Sequence, residues 1–80
     1  MRVQVTANDI AEGHRGMCHW CPIALALKRK GGLIGGVGAR WINYKGLRYR
    51  LARATRRWQE DFDSGRPVEP ALLRFDLGPR

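Results

Sequence analysis

The segment ARWINYKGLRYRL, residues 39 to 51, constrains the fold more than any other part of this chain. Two runs rich in β-branched and aromatic residues flank the dipeptide Lys45-Gly46, and a two-residue connection of this kind joins antiparallel strands in a tight hairpin. In the two-residue register Tyr44 faces Leu47, Ile42 faces Tyr49 and Arg40 faces Leu51. On the opposite face Asn43 meets Arg48 and Trp41 meets Arg50. The face carrying Ile42, Tyr44, Leu47, Tyr49 and Leu51 is apolar and predicts burial. The other carries Trp41, Asn43, Arg48 and Arg50, with Lys45 at the tip. A slip of one residue would exchange the two faces.

The rest of the chain supplies partners for this hairpin. RVQVT alternates, with Val3 and Val5 on one side, and predicts a strand over residues 2–6. Thr6 with Asp9 three positions on approximates a capping box, with Asn8 as an alternative cap, for a short helical turn that stops at Gly13. Pro22 suits the first position of a helix, where its missing N–H costs nothing, which makes Cys21 the N-cap. Residues 23–27, IALAL, are apolar almost all round and predict a buried helix. Lys28, Arg29 and Lys30 favour its C-terminal pole, and Gly31 and Gly32 end it. GGLIGGVGA, residues 31–39, reads as a loop or an irregular strand, and it lacks the G-x-x-x-x-G-K-[ST] pattern of a phosphate-binding loop. Leu51, Ala54, Trp58 and Phe62 fall at helical spacing and predict an amphipathic helix over about residues 52–64. Arg53, Arg56 and Arg57 lie off that stripe, and Glu60, Asp61 and Asp63 sit at the end where the helix dipole disfavours them. LLRFDL predicts a last strand, with Leu73, Phe75 and Leu77 on one face and Leu72, Arg74 and Asp76 on the other. The order β-α-α-β-β-α-β predicts a single α+β domain over residues 1–80, a mostly antiparallel sheet with helices packed on one face.

Charge is distributed unevenly along this frame. Between Gly13 and Gln59 there are eleven bases and no acid, a formal +11, whereas the flanks hold four bases against seven acids, a formal −3. Such asymmetry predicts a polyanionic or acidic partner. The apolar run Pro22–Leu27 is far too short to span a membrane, and MRVQVTAND lacks the apolar stretch of a secretory signal, so a cytoplasmic protein with no membrane partner is expected. In that compartment two cysteines are expected to be reduced or metal-bound rather than joined.

Cys18-x-x-Cys21 at a helix start admits three readings. As a thiol oxidoreductase motif it lacks the surrounding β-α-β unit, and Pro22 makes the second cysteine, not the first, the cap. As a zinc site it has His14, Cys18, His19 and Cys21 to draw on, but no second Cys/His pair follows at finger spacing. A structural N-cap with a small, half-buried thiol needs neither and is the reading adopted, with no metal or other cofactor expected. No Ser-His-Asp combination is supported by spacing, and Asp61 and Asp63, two apart on a helix, do not face each other. No enzymatic activity is therefore expected.

Three segments, TANDIAEG (Thr6–Gly13), CPIALAL (Cys21–Leu27) and DFDSGRPVEP (Asp61–Pro70), together resemble short open reading frames of tailed phages of actinobacteria. Those are similar in a T-A-x-D-I-x-x-G start, a C-P-[IV]-A-L-A-L helix and an F-D-x-G-R-x-V-x-P tail, over about a third of this chain. The resemblance implies a phage gene of unknown function acting in the host cytoplasm, and it implies no catalytic residue. Its pattern contains Cys21 without requiring Cys18. The function expected is a small basic binding protein that contacts DNA or RNA through Trp41, Asn43, Lys45, Arg48 and Arg50, extended by Arg53, Arg56 and Arg57. Bases interleaved with an aromatic can contact phosphates while a nucleobase stacks. The alternatives are an inhibitor docking on an acidic host protein surface, and a zinc or thiol-redox protein using Cys18 and Cys21.

Overall fold

A hairpin on its own is marginal in water, so its apolar face must be extended and covered. The computed structural model, which describes residues 1–32 and 34–78, shows how. Leu33 of the glycine-rich segment, and Arg80 among the flanking bases, lie outside the described residues. The elements are β1 (Arg2–Val5), α1 (Ala7–Glu12), α2 (Pro22–Arg29), β2 (Ile34–Val37), β3 (Trp41–Tyr44), β4 (Leu47–Leu51), α3 (Arg53–Asp63) and β5 (Ala71–Leu77). The strands form one antiparallel sheet in the order β1-β5-β4-β3-β2. The fold is α+β, in the order the sequence predicts, with one addition: the glycine-rich segment supplies β2.

The hairpin register is the two-residue one, Trp41 opposite Arg50 and Tyr44 opposite Leu47. Lys45 and Gly46 both take positive φ, 53° and 74°, as a type I′ turn requires; glycine does this freely and Lys45 does it at some cost. Ile42, Tyr44 and Leu51 are buried as expected. Leu47 and Leu77, assigned by alternation to the buried face, are instead 49% and 65% exposed, because they stand at strand ends beyond the reach of the helices.

The sheet curls, and α2 is what it curls around. α2 touches both edge strands, β1 and β2, and closes the open side with Ile23, Ala24, Ala26 and Leu27, all buried. A bulge between Ile34 and Gly36, with Gly36 at φ 124°, adds local twist where β2 meets β3. The sheet contributes Val3, Val5, Val37, Ile42, Tyr44, Leu51, Leu73 and Phe75 to the same core. The amino terminus is sewn in by paired bonds: Met1 N donates to Phe75 O and Phe75 N to Met1 O, each at 2.8 Å.

Both predicted helix starts have the expected caps. Thr6 Oγ1 accepts from Asp9 N while Asp9 Oδ2 accepts from Thr6 N, a complete capping box. Cys21 Sγ accepts from Ala24 N at 3.4 Å. The stripe of α3 differs from the expected one. Thr55, Gln59 and Phe62 are buried, Trp58 is half-buried and Ala54 is exposed. The rotation is set by Thr55, whose hydroxyl donates to Arg74 O at 2.8 Å and accepts from Arg74 N at 3.1 Å. It satisfies β5 where β4 has already ended, and that need turns the helix by one residue. No helix among the described residues is long and apolar enough to cross a membrane.

Candidate nucleic-acid interface

Because the helices cover one face of the sheet, the alternating residues of the strands face outward. On β3 and β4 these are Trp41, Asn43, Arg48 and Arg50, with Lys45 exposed at the turn. The pairing of β4 with β5 sets Arg50 opposite Asp76, and that of β5 with β1 sets Arg74 opposite Arg2. Arg2 and Arg74 thus continue the basic face, two residues that the hairpin alone does not reveal. Alternation had placed Arg74 outward, but only the strand order brings it beside β4. The single acid in this row, Asp76, is engaged by Arg74 at 3.3 Å. Among the described residues Lys45, Arg48 and Arg50 form no ion pair.

Trp41 is not a bare platform. It is half-buried: one side meets the backbone of Gly78, where a Cβ would collide with the indole, and the Arg48 guanidinium lies 4.6 Å over the ring centroid. Gly78 N also donates to Arg48 O at 3.0 Å, so the backbone beneath Arg48 and the ring below it are tied together. The result is a cation–π pair whose guanidinium stands on the solvent side of an indole. Such a plane can itself stack a nucleobase or meet a phosphate.

Arg53, Arg56 and Arg57 stand on α3, which begins two residues after β4 ends. With Glu60 they line a separate shallow depression on α3 to which no hairpin residue contributes. The expected site thus draws on two elements, the sheet and the helix that follows it.

The zinc candidates are not brought together either. Cys18 Sγ lies 3.2 Å from His19 Nδ1, both exposed, and His14 is exposed. Cys21 is 1% exposed and its sulfur faces the helix start. Burial pushes the Cys21 thiol above its ordinary value of 9.0, outweighing the Ala24 and Ile23 amides that favour the thiolate. Among the described residues no three His, Cys, Asp or Glu side chains converge as metal ligands do. Trp20, exposed to 49%, packs under Lys28, whose Nζ sits 3.6 Å from the ring centroid.

Fold and surface together define a small α+β module: a curled antiparallel sheet, helices on its inner side and a basic outer face. No protein-family model, no curated protein and no solved structure matches the chain.

Proposed function

We propose that this protein is a non-enzymatic nucleic-acid-binding module that uses the outer face of its sheet. The observation that carries this is the arrangement of Arg48 over Trp41, flanked by Arg50 and Lys45 and continued by Arg74 and Arg2. A planar cation held on an aromatic, inside a field of bases, suits a single strand whose bases stack while its phosphates pair. The second basic group, on α3, offers further phosphate contacts. The resemblance of three sequence segments to tailed-phage reading frames sets this activity in a host cytoplasm. The competing partner is an acidic host protein, and Leu72, exposed to 58% on the same sheet face, is the feature that favours it.

The test is a gel shift with single- and double-stranded DNA and RNA across a salt series. With about four phosphate contacts, the log–log slope of affinity against salt is expected at roughly −3 to −4. Replacing Arg48 and Arg50 by Ala is expected to weaken binding to all sequences and to flatten the slope by about one unit per lost contact. Trp41→Ala is expected to weaken single-strand binding by releasing the Arg48 guanidinium from its fixed plane, and to change the slope less because the Arg48 charge remains. Absence of binding to every nucleic acid at ~50 mM salt refutes the proposal, since even non-specific association persists there.

A further inference from the structure

The two edges of the sheet are finished differently, and nucleic-acid binding on its outer face uses neither. On β2 the Val37 N–H points outward and donates to Cys18 O of the α1–α2 loop at 2.9 Å. β1 has no such cover. Met1 and Phe75 exchange both backbone bonds, and the antiparallel register alternates from there. Val3 and Val5 therefore bond to β5, while the N–H and C=O groups of Arg2 and Gln4 point away from it. Of these four groups only Gln4 O has a partner among the described residues, Nη2 of Arg29 at 2.8 Å. The Arg2 N–H, the Arg2 C=O and the Gln4 N–H stand unpaired, in two exposed residues.

A groove of about 230 Å³ lies beside this edge, lined by Val3, Gln4, Ala26, Arg29 and Lys30. Val3 and Ala26 make it apolar on one side, and its rim is basic. Arg29 is held in place by Asp9 Oδ1 at 2.6 Å as well as by Gln4 O. Lys30 and Arg2 are exposed and form no ion pair among the described residues. Unpaired strand groups of this kind are a template for one more strand. Charge selects which strand. A second copy would set its own Arg2, Arg29 and Lys30 against these, between chains of net charge +8, whereas an acidic segment brings the complementary sign.

We propose that the β1 edge binds an extended acidic segment of a partner protein, which joins the five-stranded sheet as a sixth strand. The Arg2 and Gln4 N–H groups donate to carbonyls of the segment, and Arg2 C=O accepts one of its N–H groups. Main-chain bonds of this kind supply affinity, and alternate side chains supply specificity. Side chains of the added strand point in turn to the groove and to the outer face. Those turned to the groove are small and aliphatic, to lie over Val3 and Ala26. Those between them are carboxylates, placed for Arg2 and Lys30.

The test follows the backbone amide resonances of the full chain, without nucleic acid, as the peptide acetyl-Glu-Val-Glu-Val-Glu-amide is added. Saturable shifts at Arg2 and Gln4 are expected, with slower hydrogen exchange of those two amides and weaker binding at high salt. The same peptide N-methylated at its glutamates keeps its charge but loses the N–H groups, and it is expected to bind several-fold more weakly. Lys30→Glu is expected to weaken binding of the parent peptide several-fold. Gln4→Pro removes an N–H that the sheet does not use, so this variant is expected to fold and to lose the peptide. Shifts confined to other strands, equal binding of the N-methylated peptide, or equal binding of acetyl-Lys-Val-Lys-Val-Lys-amide overturns the proposal. Protection of the Arg2 and Gln4 amides that rises with protein concentration in the absence of peptide also overturns it, and assigns the edge to a second copy. None of these outcomes bears on nucleic-acid binding, which the gel shift reads separately.

Discussion

Cys21 is a sulfur in a position that oxygen usually fills. Its thiol accepts the Ala24 N–H as a Ser or Asp side chain does, while its low polarity suits a site that is 1% exposed. Cys21→Ser keeps the acceptor and is expected to change stability little. Cys21→Val fills the same space without an acceptor and is expected to cost about 1 kcal/mol or more in urea unfolding. Asp9 makes a second argument at this scale. Burial alone would raise its pKa; the hydrogen bond from Arg29, those from Thr6 and the attraction of the guanidinium outweigh it and hold the carboxyl below its ordinary 3.8. The folded state thus binds protons less readily than the unfolded chain. The resulting stabilisation is complete above the unfolded value of 3.8 and is lost as pH falls through the lower folded value. Asp9→Asn is expected to destabilise by about 1–3 kcal/mol at pH 7, with the gap to wild type narrowing as pH falls below 3.8. Both cap residues were legible in sequence, because a cap depends on neighbours within three positions. The salt bridge from Arg29 was not, because its partner is twenty residues away.

At the scale of the element, α3 is wired against its own dipole. Arg53 and Arg56 crowd its N-terminal turn, its last turn holds no base, and Ala52 gives no side-chain cap. The acids at the far end have structural partners: Asp61 pairs with Arg66 at 2.8 Å, and Asp63 accepts from Gly16 N and from Gln59. The arginines have no such partners among the described residues. Bases at the positive pole reinforce the local potential at the expense of helix stability. Arg53→Glu is therefore expected to raise stability by about 0.3–1 kcal/mol. In the same variant, affinity for nucleic acid is expected to fall, a trade measurable by urea unfolding beside the gel shift. The buried stripe of this helix was misplaced by one residue from sequence. Spacing alone admits Ala54 as readily as Thr55, and what separates them is a bond to β5 that no local pattern encodes.

At the scale of the whole molecule, α2 acts as a wedge between the two edges of the curled sheet. It contacts both edge strands, and its small residues Ala24 and Ala26 are buried. Ala24→Leu is expected to overpack this contact and cost about 1–3 kcal/mol in urea unfolding, whereas Ala54→Leu on the exposed face of α3 is expected to be close to neutral.

The strands β1, β3, β4 and β5, all three helices and the hairpin register could be read from the chain itself, because alternation, helical spacing, caps and a two-residue turn are local properties of sequence. Strand β2 could not be separated from a loop. Its glycines carry no alternation, and it is a strand because Val37 pairs with Ile42 and Gly36 with Asn43, and Ile34 meets Tyr44 beyond the bulge. The same limit governs the site. The bases of the hairpin were visible, but their continuation through Arg74 to Arg2 depends on β5 lying between β1 and β4. The half-burial of Trp41 depends on Gly78 arriving beneath it after β5. Local order follows from backbone sterics and from hydrogen bonds a few residues apart, whereas which surfaces become neighbours is decided by how the elements bury their apolar faces together.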